Sequence, residues 1–458
     1  MSADEQMRTL LNLAAELPDL GPGPAERLIA QGRRRRRRNR VLIAAATSVA
    51  VIAGAVGLPV LADKIGSHSV PITGPAIVTG RPLFFGAGPS AAQLAHFRWS
   101  GLPPSPLGPR SQPVLAWTGK ELVELAGPSK SASLVGAAYD PATGRWHRIA
   151  SPNGNVGVAN AVTAWTGHQL FTANGQVGPC VPGRGPKILS LCLPFAGLYD
   201  PATNTWSTTK LPSQLRNMTL AAAVWTGRDI IVAGTDPNRG RLAAAAYDPA
   251  SNHWRMITPR LPAGHPPRFA AMTVTPGRLT LWSLWDRATK TKDGGSIYSG
   301  VDVLALDATG RWTNVTGGWP QNHLVTSPVF TGSAILVSPA EIWCGGCSPP
   351  FAYTPGYLAD PATLHRTEIP LGPLGDANPP FVWAGRAVIA VNLDATITGP
   401  GKHGLHIRPG DLAAWDAASG WHTLPAIPAR PNISATPIWT GTALLALTDQ
   451  GHLLSLHP

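Results

Sequence analysis

Four cysteines, two neighbouring histidines and a scatter of basic residues are the side chains whose types and spacing could do chemistry in this 458-residue chain. Cys344-Gly345-Gly346-Cys347 sets two thiols three positions apart, and Cys180 and Cys192 stand 12 apart upstream. So few cysteines in so long a chain suit an exported domain with local staples, and pairing Cys180 with Cys192 and Cys344 with Cys347 is the expected arrangement. Spacing leaves the two other connectivities open. It also leaves a redox Cys344-x-x-Cys347, which no βαβ pattern surrounds, and a four-thiolate zinc site, which needs two distant loops to meet. His403 and His406 lie on a glycine-rich loop with only distant partners, so surface histidines are expected rather than metal ligands.

The basic candidates are Arg184, Lys187, Arg287, Lys290, Lys292, Lys402, His403, His406 and Arg408. The acids of the same four segments (174–195, 284–300, 338–352 and 393–410) are fewer: Asp286, Asp293, Glu341 and Asp394. An excess of positive charge on one surface raises the local concentration of anionic material, here a cell-wall polymer or an acidic protein patch. Ordinary solvated loop charge is the plainer account. There is no His-Glu-x-x-His, no Gly-x-Ser-x-Gly, no phosphate-cradling glycine loop with Lys and no calcium loop of alternating acids. The expectation is therefore a protein without catalytic residues, metal or cofactor.

The elements that must carry these residues are written in a repeat. Tyr199–Trp206 reads Tyr-Asp-Pro-Ala-Thr-Asn-Thr-Trp, and returns as Tyr139–Trp146 and Tyr247–Trp254, then in worn form as Asp307–Trp312, Asp360–Arg366 and Asp416–Trp421. Upstream of each stands a Trp-Thr-Gly-like fragment followed by an apolar run, as in Ile230-Ile231-Val232-Ala233. Its glycines, Gly119, Gly167, Gly227, Gly277, Gly332, Gly385 and Gly441, are 48, 60, 50, 55, 53 and 56 residues apart. That spacing is close to the roughly 50-residue period of propeller blades. Each unit reads as four strands, with a Thr-Gly turn between the first two and an Asp-Pro-Ala-Thr turn between the last two.

Only 17 residues follow Gly441, enough for three strands. Trp99 lies 20 residues before Gly119, within the 19 to 23 that separate each turn Trp (or Arg366) from the next marker glycine, so 96–102 is predicted to supply the missing outer strand. Seven blades then close with no open sheet edge; a six-bladed ring with a frayed end is the alternative. From marker glycine to turn Trp (or Arg366) the gaps are 27, 39, 27, 35, 34 and 36 residues. The excess is assigned between the second and third strands, where insertions on one face of a repeat array build a binding surface.

These fragments resemble kelch repeats, as in the kelch and galactose-oxidase-like propellers, over residues 93–458. The paired glycine usual after the second strand is replaced by Ala126-Gly127, Asn174-Gly175 and Ala233-Gly234, and is missing from several later units. The resemblance implies an all-β seven-bladed propeller with a split closing blade, and recognition more than catalysis. The copper-radical oxidases of that group need a Cys-linked Tyr, a second Tyr and paired His. Tyr139, Tyr199 and Tyr247 are committed to turns, which leaves Tyr298, Tyr353 and Tyr357. The tryptophans recur in register, so packing is expected of them rather than sugar stacking.

Residues 1–40 hold nine Arg against five acids and end in Arg33, Arg34, Arg35, Arg36, Arg37, Arg38 and Arg40. Val41–Leu61 follows without a charge. About 20 apolar residues cross a hydrocarbon core, and the basic flank marks the cytoplasmic side. The expected order is a basic cytoplasmic tail (1–40), a transmembrane helix (41–62), a stalk (63–92) rich in Gly, Pro and Ser, and an extracytoplasmic propeller (93–458). A cleaved signal peptide ending near Ala62, with Arg37-Arg38 as a twin-arginine pair, is the alternative. The arginine run suits membrane topology and anionic lipid. It abuts the membrane segment and has no interleaved aromatic residues, so no nucleic-acid partner is expected. Leu10, Leu11, Leu13, Ala14 and Leu17 could form an amphipathic helix, on the membrane or against a cytoplasmic regulator. High Ala, Gly, Pro and Arg with few Lys points to a GC-rich, actinobacterial-type bacterium. The functional expectation is a membrane-anchored, non-catalytic binding module at the cell surface, with a transmembrane sensor or an extracellular enzyme using the ring's mouth as alternatives.

Overall fold

The computed structural model describes residues 88–458 apart from 111–112, 128–133, 153–160, 176–177, 180–190, 292–293, 308–309, 317–327, 338–339, 344–350, 355, 371, 375–380, 393–398, 401–405, 408–409 and 429–436. The tail, the apolar segment, Arg33–Arg38 and Arg40 therefore lie outside the described residues. Among the described residues no helix is long and apolar enough to cross a membrane.

Seven four-stranded antiparallel sheets follow one another along the chain. Blade 1 is Val114–Trp117, Leu122–Ala126, Val135–Asp140 and Arg145–Ile149. Blade 2 runs from Val162–Trp165 to Thr205–Thr209, blade 3 from Thr219–Trp225 to His253–Met256, and blade 4 from Pro267–Thr275 to Trp312–Asn314. Blade 5 runs from Val329–Phe330 to Arg366–Ile369 and blade 6 from Phe381–Trp383 to Gly420–Leu424. Blade 7 joins Ile438–Trp439, Leu444–Leu447 and Leu453–His457 to Arg98–Gly101, so the ring is sewn shut by the first strand of the chain. Trp99 pairs with Leu456, and the Leu102 N–H extends the seam to the Leu453 carbonyl at 2.9 Å.

The two repeated fragments earn their recurrence in different ways. All seven marker glycines turn with positive φ, from 76° at Gly277 to 104° at Gly441, where any other residue is strained. The threonine before them closes the same turn: Thr118 Oγ1 accepts from the Glu121 N–H at 2.9 Å, and Thr166, Thr226, Thr331 and Thr440 repeat the bond. In the second fragment the Asp carboxylate receives turn N–H groups, as Asp200 does from Ala202 at 2.9 Å. The left-handed position that ends this turn is filled by Gly144, Asn204, Asn252, Gly310, Leu364 and Gly420.

The core lies between blades. Val382, Ile389 and Leu424 of blade 6 pack with Trp439, Leu444 and Leu456 of blade 7, and Phe171 and Leu198 of blade 2 pack with Ile230 and Val232 of blade 3. Each such aliphatic side chain is worth roughly 1.5–3 kcal/mol when fully buried. The turn tryptophans stitch the outer seam. Trp206 Nε1 donates to the Ala150 carbonyl at 2.7 Å, at the end of the outer strand of the preceding blade. Trp146 does the same to Pro103, Trp421 to Pro370, Trp99 to Pro425 and Trp312 to Ile257, while Trp254 reaches Thr209 Oγ1. Arg366, standing where the seventh would be, covers the ring of Tyr357 at 5.4 Å. Satisfied indole N–H groups confirm packing as the work of the turn tryptophans.

Candidate binding face

Alternation of turns divides the ring into two faces. The Thr-Gly and Asp-Pro turns share one, and the connections between second and third strands share the other with the blade-to-blade crossovers. Blades 1 and 3 keep short connections here, whereas blades 2, 4, 5 and 6 carry the added length. Where they are described, the insertions carry antiparallel strand pairs. Gly178–Pro179 pairs with Leu191–Cys192, Ala340–Trp343 with Phe351–Thr354, and Gly399–Pro400 with His406–Ile407. In blade 4 the strands Arg278–Thr291 and Gly294–Leu306 run past the sheet into one long ribbon, paired to Thr291 and Gly294. A period-2 ladder continues wherever backbone N–H and C=O groups have a partner strand.

Three of the nine sequence-predicted basic residues fall on described parts of these hairpins. Arg287 and Lys290 occupy ladder positions opposite Tyr298 and Gly295 on the blade 4 ribbon, and His406 pairs with Pro400 on the blade 6 hairpin. Arg184, Lys187, Lys292, Lys402, His403 and Arg408 lie outside the described residues, as do Cys180, Cys344 and Cys347. Cys192 stands opposite Gly178 in the blade 2 hairpin. Among the described residues no group of three or more His, Cys, Asp or Glu could hold a metal ion.

The sequence reading missed a cluster at the root of the blade 4 ribbon. His265, in the crossover from blade 3, turns its Nδ1 onto both oxygens of Asp302 at 3.1 and 3.0 Å. Its ring stacks on Trp285, with centroids 4.0 Å apart and planes 15° apart. Burial pushes the Asp302 carboxyl up from its ordinary range, and the hydrogen bond and charge of His265 pull against that. Trp285 is 5% exposed and pairs across the ladder with Gly300. A Cβ at position 300 would come within 2.5 Å of the indole Cζ2, so the glycine lets the ring lie on the strand. Trp285 Nε1 and the Oγ of Ser283, which is opposite Asp302, are buried without a hydrogen-bond partner among the described residues. Only the unusual residue types at one ladder position, Trp285 against Gly300, could have flagged this site.

A turn of blade 3 adjoins the cluster. Asp236, nearly buried, accepts from Arg239 at 3.1 Å and from Arg241 at 3.3 Å, while both guanidinium groups reach solvent. Burial raises its carboxyl pKa, but hydrogen bonds from Arg239 and Arg241 outweigh that and hold it low. Gly240 turns with φ 59°, and a Cβ there would lie 3.1 Å from Cβ of Pro266, the neighbour of His265.

A second buried acid lies under the crossover into blade 1. Ser105 Oγ donates to Glu124 Oε2 at 2.5 Å, while Oε1 is buried with no partner among the described residues. Burial raises the Glu124 carboxyl; the Ser105 hydrogen bond and the charge of Arg110 lower it less. Exposed large apolar side chains on the described surface are Leu193 and Met256, on different blades, so the described residues form no apolar patch for docking.

No known protein family and no curated protein is matched by the chain. Among solved structures it is similar to a selenomethionine-substituted virginiamycin B lyase from Staphylococcus aureus, at 10% identity, TM-score 0.46, over 79% of this chain and 99% of that one. It is also similar to YCF48 bound to D1 peptide, at 12% identity, TM-score 0.45, over 79% and 95%. The β-propeller domain of the Trilobed protease from Pyrococcus furiosus matches at 11% identity, TM-score 0.44, over 78% and 96%. The strand order alone establishes the ring here, and no role passes from these proteins to this chain.

Proposed function

We propose that the protein is a non-catalytic binding module of the cell surface, whose hairpin-bearing face takes an acidic cell-wall polymer. The observation that carries this reading is the one-sided placement of the added structure: four of seven blades are extended, all between second and third strands. Surface built beyond the needs of the ring is surface available for recognition. Arg287, Lys290 and His406 sit on those extensions, and the described surface offers a partner no apolar patch, so recognition is polar and salt-sensitive.

The path of the chain agrees with anchoring. Gly88 lies against Ala384 and Arg386 in the Thr-Gly-type turn of blade 6, and the Ala91 N–H donates to Asp416 in the second turn of that blade at 2.6 Å. The chain thus joins the ring on the turn face. In this reading 41–62 spans the membrane, Arg33–Arg38 and Arg40 hold the N-terminus inside, and the hairpins point away from the attachment.

Binding of the full-length protein to acidic wall polymers across a salt series tests the function. Retention at low salt that is lost as salt rises supports it; no retention at low salt ends it. Protease shaving of intact cells tests the orientation, and a propeller that survives until lysis would overturn the surface placement.

A further inference from the structure

We propose that the mouth between blades 3 and 4 is an anion subsite, where His265 Nε2, the indole N–H of Trp285 and the guanidinium groups of Arg239 and Arg241 receive a carboxylate or phosphate. The inference rests on the binding reading above and gives it an address.

The donors and acceptors around this mouth are unequal. Both of its described carboxylates are already engaged, Asp302 by His265 and Asp236 by Arg239 and Arg241. What remains unspent is donor capacity. Each arginine uses one guanidinium nitrogen on Asp236, and their side chains are 68% and 56% exposed. The Trp285 N–H is buried and no described residue accepts it, an arrangement that is costly unless a ligand completes it. The six turn tryptophans described above all spend theirs on protein acceptors, which sets Trp285 apart.

His265 is presented rather than packed away. Asp302 holds Nδ1, which orients the ring, and the imidazole stays 27% exposed. Nε2 is then the polar atom left for a ligand. A cation would find its carboxylates covered. The four proposed donors come from three adjoining segments: the blade 3 turn, the crossover and the blade 4 ribbon.

The test uses full-length protein in micelles with isotope-labelled histidine, titrated with inorganic phosphate and, separately, with glucuronate. The His265 ring signal is assigned by its loss in His265→Gln. A saturable shift of that signal with either anion, absent with chloride at matched ionic strength, supports the subsite. Which anion binds tighter tells a phosphate source from a uronic-acid source. Trp285→Phe, which keeps the stacked ring and removes only the donor, and the double variant Arg239→Ala/Arg241→Ala should each weaken binding about tenfold. Equal titration of these variants and the parent, or shifts that follow ionic strength alone, would overturn the proposal. Polymer retention is measured alongside. Variants that keep polymer binding while small anions do nothing sink the subsite and leave the function standing. Saturable small-anion binding without polymer retention at any salt sinks the function and leaves the subsite.

Discussion

The two faces of the ring treat their acids in opposite ways. On the turn face Asp416 sits in a buried position, yet N–H donors from Ala91, Ser419 and Ala418 outweigh the burial and hold its carboxyl below the ordinary 3.8. Asp360 is held low by the same balance, and Asp248 chiefly by the Ser251 hydroxyl. Toward the hairpin face burial wins, and Glu124 and Asp302 are pushed up. Asp236 is the exception there, and its two arginines explain it. A carboxylate that accepts several backbone N–H groups is built into the fold; one that is buried with donors to spare around it costs stability. The turn face holds the ring, and the other face carries groups the ring does not need.

That contrast is broken most directly at Asp416. Its carboxylate accepts from the Ala91 N–H, the Ala418 N–H and both the N–H and the hydroxyl of Ser419. One of these bonds ties the incoming helix Ala91–Leu94 to blade 6, ahead of the closing strand. Asp416→Ala strands buried donors, and the loss should be about 3 kcal/mol in urea unfolding. Asp140→Ala, where among the described residues Ala142 alone is bonded to the carboxylate, should cost about 1 kcal/mol. Equal losses at the two positions would show that the helix tie contributes nothing to closure.

On the opposite face the expected loss is of binding rather than fold. Replacing 287–298 of the blade 4 ribbon by Asn-Gly leaves the sheet from Leu279 to Trp285 paired as before and supplies the two-residue turn such a hairpin favours. Unfolding free energy should change by less than about 1 kcal/mol, since surface changes away from the core fall in that range. Polymer retention should fall by about tenfold or more as three cationic positions, Arg287, Lys290 and Lys292, go. A strongly destabilised variant would place the ribbon among the structural parts.

The ring was legible in the sequence because its turns need particular atoms. A left-handed φ asks for Gly119 or Asn204, a turn closed by a hydroxyl asks for Thr118, and an outer seam asks for an indole N–H at Trp206. Those needs recur five to seven times around the ring, so even the split blade and the pairing of Trp99 with Leu456 follow from counting. The hairpins showed only as length, because any backbone can continue a ladder. The His265 cluster was silent for another reason. His265, in a crossover, and Asp302, on a strand of blade 4, are 37 residues apart, and a contact made once leaves no periodic trace.

One substitution made in two places sharpens the distinction. Trp206→Phe keeps the aromatic packing against Tyr199, 5.4 Å away, but removes the bond to Ala150. It should cost about 1 kcal/mol, the worth of a single hydrogen bond. Trp285→Phe removes a donor that has no protein acceptor, so thermal unfolding should move little or rise. The Tyr199 hydroxyl, whose pKa is pushed up to about 12 by burial and then by the charges of Glu121 and Asp200, stays protonated and keeps its bond to Asn204 at 3.0 Å throughout.

The smallest effect is one of pH, and its sign separates the faces. Glu124 has a folded pKa raised above 4.5, so the native state holds its proton more tightly than the unfolded chain does. The stability this lends is fully present below 4.5 and is lost as pH rises through the raised folded value. Asp416, Asp360 and Asp248 run the other way: their stability is present above 3.8 and is lost as pH falls through their lowered folded values. Glu124→Gln fixes the side chain in a neutral form of the same shape, which can still accept from Ser105. The stability of the parent relative to this variant should therefore be greatest at acid pH and decline above 4.5, while the acid limb below 3.8 stays in both. Urea unfolding of the pair from pH 3 to pH 8 measures the difference directly. A difference that does not vary with pH would mean that Glu124 titrates alike in the folded and unfolded chains, and the buried acid would then belong with the ordinary parts of the ring.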